Sequence, residues 1–500
     1  MRNTLSALLC ALMTASVISA CGGGTAAPSP SAQNGADTQN AVTEGDVAEP
    51  AEAYTLPASD LGGKEINILN MHSYWGMYTT ICPDELNGEI LNDAVYNRNQ
   101  KIEAALNCRI VDSRTGTEGG NGQNLIDVHD LGKKILQSGD DTYDVMYLSP
   151  SEMANQMAEG YFYNLYSIPE LHLDAEYWDT KIIEMSRIGE NLYAASGDGH
   201  LMSYDSSWML FFNQDLLTSY GLDMPYDIVR SGKWTIDELI RYCSAMATLN
   251  SEQEFKWNEN GDALFGLASH PNAPDKFVYS AGERYVLTDD DGKPYFAAGG
   301  ERFLQVADKL SQLFGTKGVT LNADSDDWNA GKGGYVYVFA NRRSAFLTAE
   351  IKTALRLREM DDTFGIVPLP KLDESQESYY TTMMNNYCMM LIPSSNKDPN
   401  TSAAVMDAIA MASHYDVLPV YYDSVVSQKG LRNEDSIEML QIMRATRGVD
   451  MAVVYNWNAD LASSLRNKFT KGDADVASLV EKYRPKIETS MEKLTSLYFG

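Results

Sequence analysis

Apolar and polar positions alternate in blocks along residues 61–160 and predict a strand–helix–strand–helix–strand order. Three short apolar runs predict buried strands: 64–69, 108–111 and 143–148. Between them, residues 88–106 and 125–136 carry apolar side chains at helical spacing, which predicts two amphipathic helices. Strands that alternate with helices in this way are typical of a parallel α/β sheet with right-handed crossovers.

Ligands of such sheets bind at the carboxyl ends of the strands. Four polar or aromatic residues follow the first predicted strand: His72, Ser73, Tyr74 and Trp75. Ser149 follows the third strand, and either Ser149 or Ser151 is expected to cap the next helix. We therefore expect this edge of the sheet to contribute to a ligand site.

The pattern changes after residue 200. Residues 200–215 predict a crossing strand and the start of a helix, and Asp289–Lys293 predicts a hairpin turn. A buried strand is expected again near 387–392, with a helix over 399–413 after it. The C-terminal part, 433–498, is expected to be helical, and no internal repeat is evident.

The N-terminus has the pattern of a secretory signal. Arg2 precedes an apolar run from Leu5 to Ile18 that is shorter than the roughly 20 residues needed to cross a bilayer. Ile18-Ser19-Ala20-Cys21 resembles the bacterial lipobox, in which cleavage before the cysteine leaves it free for lipidation, for example with palmitate. The alternative is a plain secretory signal that contains a cysteine. The lipobox interpretation predicts a signal peptide over 1–20 and a lipid anchor on Cys21.

A polar, small-residue segment follows Cys21. Residues 22–59 carry hardly any large apolar side chain, so they cannot bury enough surface to offset the entropy of ordering them. We expect residues 21–59 to form a flexible tether between the lipid and a folded body that starts near residue 60. The anchor would hold the protein on the outer face of the cell membrane.

Composition limits the function of the body. Its length of about 440 residues exceeds one core and predicts two domains. The formal charge of −30, from 39 basic and 69 acidic residues, argues against nucleic acid as a partner. Four cysteines remain after the anchor, and their spacing leaves open whether they pair: Cys82, Cys108, Cys243 and Cys388.

Residues 211–239 resemble the signature region of bacterial extracellular solute-binding proteins of the maltose-binding type. In that family, an aromatic-Asn-Lys-Asp-Leu-Leu motif precedes Gly-Leu, Pro and Thr-Trp-Asp-Glu-Leu. The matching positions here are Asn213, Asp215, Leu216, Leu217, Gly221, Leu222, Pro225, Trp234, Glu238 and Leu239. Gln214 replaces the Lys, and the order of Trp234 and Thr235 is reversed.

Three later segments extend the resemblance over most of residues 60–500. They are the Asp-Gly-Lys-Pro hairpin within 288–296, "FANRRSAFL" at 339–347 and "FGIVPLPK" at 364–371. The resemblance implies two hinge-linked α/β lobes around a cleft, in a monomer that delivers a solute to the permease of an ABC importer. It places 60–200 and 385–425 in one lobe and 205–383 and 430–500 in the other.

A sugar is the solute that we expect, because aromatic faces pack on pyranose rings and carboxylates or amides bond their hydroxyls. Trp208 lies at the first crossing and Trp457 within polar neighbours. Each is a candidate stacking ring, with ordinary core packing as the alternative. Asp198 is a candidate hydroxyl acceptor or else a turn residue. Glu350 is a second candidate acceptor or else a solvated helix start.

Asn385 and Asn386 are candidates for hinge or ligand residues beside the second crossing.

Other functions fit the sequence less well than sugar binding. A surface glycoside-active enzyme would also be acidic, but the chain has no HExxH, GxSxG or P-loop motif. The Asp runs at 289–291 and 324–327 lack the calcium-loop pattern, so no metal or other cofactor is expected. A peptide or a metal complex remains an alternative solute.

Overall fold

A computed structural model describes residues 54–71, 80–114, 122–322, 334–385, 387–426, 431 and 433–499. The predicted signal peptide, Cys21 and most of the tether lie outside these ranges. Five predicted ligand residues also lie outside them: His72, Ser73, Tyr74, Trp75 and Asn386.

The end of the predicted tether already contacts the body. The ring of Tyr54 stacks on the ring of Tyr415 at a centroid distance of 4.9 Å. Its hydroxyl also donates to Asp416 at 2.5 Å. Ordered contacts therefore begin at least six residues before the expected start of the folded body, because an aromatic ring can bury more area than its small neighbours.

Strands form two larger sheets and one hairpin. Their bounds are β1 (Lys64–Asn70), β2 (Cys108–Arg114), β3 (Val145–Leu148), β4 (Trp208–Asn213), β5 (Phe265–Ser269), β6 (Val286–Thr288), β7 (Pro294–Phe296), β8 (Thr320–Asn322), β9 (Ser344–Glu350), β10 (Phe364–Val367) and β11 (Met389–Leu391). The first sheet has the order β11–β3–β1–β2, and the second has β10–β4–β9–β5–β8. The hairpin pairs β6 with β7.

Helices occupy most of the remaining described chain. Their bounds are α1 (Ile90–Leu106), α2 (Gly122–Ser138), α3 (Ala154–Ala158), α4 (Thr180–Ser186), α5 (Met202–Asp205), α6 (Gln214–Ser219), α7 (Tyr226–Arg230), α8 (Ile236–Met246), α9 (Ala273–Ser280), α10 (Glu301–Gly315), α11 (Tyr335–Ala340), α12 (Pro399–Asp416), α13 (Leu418–Val426), α14 (Glu434–Ala445), α15 (Met451–Val454), α16 (Ala459–Phe469) and α17 (Ala477–Phe499). Short 3₁₀ helices lie at Pro150–Glu152, Leu165–Ser167, Ile351–Leu355 and Leu357–Glu359. Within the described ranges, no helix combines the length and apolar character that a bilayer crossing needs.

The first sheet confirms the predicted parallel α/β unit. β1 pairs in parallel with both β2 and β3, and helices α1 and α2 form the crossovers. β11 comes from much later in the chain and pairs antiparallel with β3. β1 and β3 are largely buried, which agrees with their nearly continuous apolar sequence.

The second sheet mixes parallel and antiparallel pairs. β5 runs parallel to β8 and β9, whereas β4 runs antiparallel to β9 and β10. Helix α8 packs closely on β5 because Gly266 has no side chain. A Cβ atom at Gly266 would lie 2.4 Å from the Cβ atom of Cys243. Cys243 is one of four free thiols among the described residues, of which three are buried and Cys82 is half-buried.

Two crossing segments connect the sheets and pair with each other. The backbone N–H of Trp208 donates to the carbonyl of Thr382 at 2.9 Å. The N–H of Met384 donates to the carbonyl of Ser206 at 3.0 Å. Ile351, after β9, joins the same ladder by donating to Ser207 at 2.9 Å. These bonds bring the ends of β4 and β9 next to the segment that leads into β11.

Candidate ligand-binding site

The edge of the first sheet contributes Ser149, which is fully buried after β3. Its backbone N–H donates to Nε2 of His129 at 3.1 Å, and its hydroxyl lies 3.0 Å from the Ser151 hydroxyl. Both hydroxyls lie 3.4 Å from the backbone carbonyl of Asn385. Ser149 is the N-cap residue of the 3₁₀ helix that follows, in line with one of the two expected serines, but its side chain makes no capping hydrogen bond. The hydroxyls bond toward Asn385 instead.

The edge of the second sheet contributes Trp208 and Glu350. Trp208 begins β4 and is directly opposite Glu350, the last residue of β9. Directly opposed residues of an antiparallel pair place their side chains on one face of the sheet. Both side chains are buried, which excludes a solvated helix start for Glu350. The indole Nε1 of Trp208 and Oε2 of Glu350 have no hydrogen-bond partner among the described residues.

Lys276 on α9 connects the two edges. It is 4 % exposed, and its ammonium donates to Oδ1 of Asn385 at 2.5 Å. The same ammonium lies 5.9 Å from the centroid of the Trp208 ring. Burial lowers the pKa of Lys276 to about 8, although Asp275 and Glu350 act in the opposite direction. Asn385 thus contacts Ser149 and Ser151, which follow β3, through its backbone carbonyl and Lys276 on α9 through its side-chain amide oxygen.

Two further rings line this cluster. The ring of His270, which follows β5, meets the Trp208 ring edge-on at a centroid distance of 5.2 Å. It also meets the ring of Tyr335 at 4.8 Å. The backbone N–H of His270 donates to the Thr348 hydroxyl on β9 at 3.1 Å, which fixes its position at the strand end. Trp208, Lys276 and Glu350 thus form a floor between the sheets that combines an indole, an ammonium and a carboxylate, and the rings of His270 and Tyr335 line it.

A small cavity opens beside Lys276 and Asn385. Its lining also includes Tyr279, Tyr285 and Asp450, and its volume of about 20 Å³ is enough to hold a single water molecule.

Asp198 does not join this cluster. It is buried, and its carboxylate accepts hydrogen bonds from the Tyr204 hydroxyl and from Nδ1 of His414, the latter at 2.6 Å. The hydrogen bond to Asp198 raises the pKa of His414. The structure thus gives this carboxylate two partners within the protein, and a ligand role for it stays a prediction.

Trp457 lies on the C-terminal side of the fold, after α15. It is 8 % exposed and stacks on Tyr455 at a centroid distance of 5.0 Å. The Tyr455 hydroxyl donates to the carbonyl of Ser186 at 2.7 Å. The role of Trp457 as a stacking ring for a ligand also stays a prediction.

The sequence did not single out Lys276, His270 or Tyr335 as ligand residues. His270 and Lys276 follow β5, so the strand-end rule applied to the second sheet could have found them. The sequence pattern of the second sheet is less regular than that of the first, which left its strand ends unmarked. Asn385 was named only as a hinge or ligand candidate, and its contact with Lys276 spans 109 residues of sequence.

No protein-family model matches the chain, and no curated protein matches its sequence. Solved structures do resemble it. The GacH receptor of Streptomyces glaucescens, solved without ligand and with acarbose, is 14 % identical with a TM-score of 0.52, over 87 % of this chain and 99 % of that one. An ABC substrate-binding protein of Listeria monocytogenes in complex with cycloalternan is 13 % identical with a TM-score of 0.54, over 86 % and 99 %.

A sugar transporter of Rhizobium etli in an open conformation is 13 % identical with a TM-score of 0.55, over 85 % of this chain and 99 % of that one. These similar structures are of receptor, binding or transport proteins rather than enzymes. At this identity the likeness concerns the fold, and it confirms the predicted fold class. The chain has the two-lobed α/β fold that these receptor and ABC substrate-binding proteins share.

Proposed function

We propose that the chain captures a mono- or oligosaccharide and delivers it to the permease of an ABC importer. The observation that carries this proposal is the floor formed by Trp208, Glu350 and Lys276 where the two sheets meet. It offers an indole, a carboxylate and an ammonium, of which the indole N–H and one carboxylate oxygen lack partners within the described residues. Sugar hydroxyls both donate and accept, so they can satisfy such groups.

The similar structures support a sugar as the solute. The Streptomyces receptor is solved with acarbose and the Listeria protein with cycloalternan, and both are carbohydrates or carbohydrate-like. We infer that this chain binds its solute without chemical turnover, as a monomer. Release of the chromophore from a chromogenic glycoside by the purified protein would contradict that inference.

The remaining sequence predictions belong to the same proposal. Lipidated Cys21 anchors the protein to the outer face of the membrane, and residues 22–53 give the body reach toward the permease. One lobe comprises 60–200 and 385–425, and the other 205–383 and 430–500. His72, Ser73, Tyr74, Trp75 and Asn386 contribute to the cleft, together with Ser149, Asp198 and Trp457.

A thermal-shift screen against neutral mono- and oligosaccharides tests the proposal. A ligand at 100 times its dissociation constant adds about 2.7 kcal/mol to the free energy of unfolding, so a binder raises the melting temperature measurably. If no sugar of the panel raises it, the proposed solute class is wrong.

Glu350→Gln tests the site itself. Gln keeps the shape of the side chain but removes the charge that strengthens a hydroxyl bond, which is worth about 1.5–3 kcal/mol when one partner is charged and about 1 kcal/mol when both are neutral. Titration calorimetry should therefore show weaker binding of the best sugar from the screen. Glu359→Gln is the matched control, because this side chain is 84 % exposed and pairs only loosely with Arg358. Equal affinities of the two variants would place the sugar elsewhere.

Membrane fractionation of Cys21→Ser tests the anchor. The variant should appear in the soluble fraction without a lipid label and with an unchanged melting temperature. A lipid label on the variant would contradict the lipobox interpretation.

A further inference from the structure

The charges at the floor between the sheets narrow the class of sugar. This inference rests on the proposed function, because it concerns the ligand of the same site. Glu350 and Lys276 are both more than nine-tenths buried and lie beside the same indole, that of Trp208. Their charges are opposite, and they interact electrostatically without forming an ion pair within 4.0 Å.

The hydrogen-bonding capacity of these groups is incompletely used. An ammonium has three N–H donors, and the amide oxygen of Asn385 takes one donor of Lys276. Nε1 of Trp208 is a second donor, and Oε2 of Glu350 is an acceptor, neither with a partner among the described residues. A buried donor or acceptor without a partner is unfavourable, so a ligand that satisfies both kinds gains most.

The charged groups next to Lys276 and Glu350 do not give the floor an excess of positive or negative charge. Asp275 beside Lys276 is paired with Arg466. Lys352, a second buried ammonium that interacts with Glu350, also interacts with Asp205. Each cation of this group therefore faces a carboxylate.

We propose that Lys276 and Glu350 together select an uncharged, hydroxylated ring and discriminate against acidic and amino sugars. A hydroxyl can accept from Lys276 or from the Trp208 indole while it or its neighbour on the ring donates to Glu350. A uronate carboxylate would satisfy Lys276 but repel Glu350. The ammonium of an amino sugar would satisfy Glu350 but repel Lys276.

Two matched pairs of oligosaccharides test this selectivity on the full-length protein in detergent. One pair is tetragalacturonate and its methyl ester, and the other is the glucosamine tetramer and its N-acetylated form. Within each pair the linkage and ring are constant, and a methyl ester or an acetyl group removes the charge. Of the two uncharged oligosaccharides, the one that binds more tightly should bind at least tenfold more tightly than the charged member of its own pair, as measured by calorimetry.

Two variants each weaken the preference within one of the two pairs. Glu350→Gln removes the carboxylate that would repel a uronate, so the preference for the methyl ester over tetragalacturonate should fall at least tenfold. Lys276→Gln removes the ammonium that would repel an amino sugar and should reduce the preference for the N-acetylated tetramer over the glucosamine tetramer in the same way. Urea unfolding of each variant verifies that it folds. If Lys276→Gln does not fold, Lys276→Arg, which keeps the positive charge, should keep the wild-type preference.

Lys371→Gln is the matched control. This lysine is equally buried, donates to the carbonyl of Gln376 at 2.7 Å and lies 5.3 Å from the Tyr379 ring centroid, away from the floor. Its loss should lower stability without changing either preference. Tighter binding of a charged member to the wild type would overturn the selectivity while the sugar function stands. Binding of no member, after a negative neutral panel, would refute the sugar function and this inference with it.

Discussion

The buried ion pair between Asp179 and Arg447 offers a quantitative test of the fold. Nε of Arg447 donates to Oδ2 of Asp179 at 3.1 Å, and a second guanidinium nitrogen bonds the same oxygen. The side chain of Arg447 is 5 % exposed and that of Asp179 is 12 % exposed. The guanidinium also lies 3.8 Å from the centroid of the Tyr204 ring. The pair joins the start of α4 to the segment that follows α14.

Asp179→Asn isolates the charge of this pair. Asp179 is also the N-cap of α4, where it accepts from the backbone N–H of Ile182 at 3.2 Å. Asn is an equally good capping residue, so the helix start is preserved. Removal of one partner of a buried pair costs about 3–5 kcal/mol, because the other charge is left uncompensated. An exposed pair would contribute only about 0–1 kcal/mol.

Urea unfolding followed by tryptophan fluorescence measures the effect. We expect Asp179→Asn to lower the free energy of unfolding by about 3–5 kcal/mol. Adding Arg447→Met should recover part of this loss, since the uncompensated guanidinium is then replaced by an apolar side chain. A loss below about 1 kcal/mol, or a double variant less stable than Asp179→Asn alone, would refute the reasoning.

Three further predictions follow from other contacts. Because the pKa of His414 is raised, the folded protein binds the imidazole proton more tightly than the unfolded chain does. The contribution of His414 to stability is therefore present below about pH 6.5 and is lost as pH rises through the folded pKa. The wild type should lose more stability than His414→Gln between about pH 5.5 and about pH 8, and equal pH profiles would exclude this role. Gly266→Ala should cost about 1–3 kcal/mol in urea unfolding because its Cβ would overlap Cys243, whereas Gly300→Ala, with open space around it, should cost much less. The best sugar of the thermal screen should reduce the radius of gyration in small-angle scattering, because contacts from both sheet edges favour a closed state; an unchanged radius at saturation would indicate a rigid cleft.

Local pattern was sufficient to predict the parallel part of the first sheet, β1 to β3. The apolar runs of β1, β2 and β3 and the helical spacing between them depend only on neighbouring residues, so they could be read without the fold. The antiparallel position of β11 could not, because it depends on which strand edge remains open once β1 and β3 have paired. The resemblance placed β11 in the first lobe, but nothing local fixed its direction.

The candidate site was predicted only in part, because burial and partners are set by distant residues. Trp208 and Glu350 were named individually, and only the register of β4 with β9 brings them together. Lys276 was missed, since its significance depends on Asn385. The position of Asp198 between two glycines suggested a ligand acceptor. Its hydrogen-bond partner His414 could not be foreseen, because it lies 216 positions later in the chain.

The late arrival of β11 in the first sheet also determines the order in which the chain can fold. β3 ends at Leu148, whereas its partner strand starts at Met389, so the pair cannot form until most of the protein has been synthesised. At about 5–20 residues per second, this interval lasts roughly 10–50 s. The second sheet is contiguous from Trp208 to Val367 and can be completed during that time. The first sheet meanwhile keeps one open edge, which delays its final closure and leaves the growing chain only partly folded.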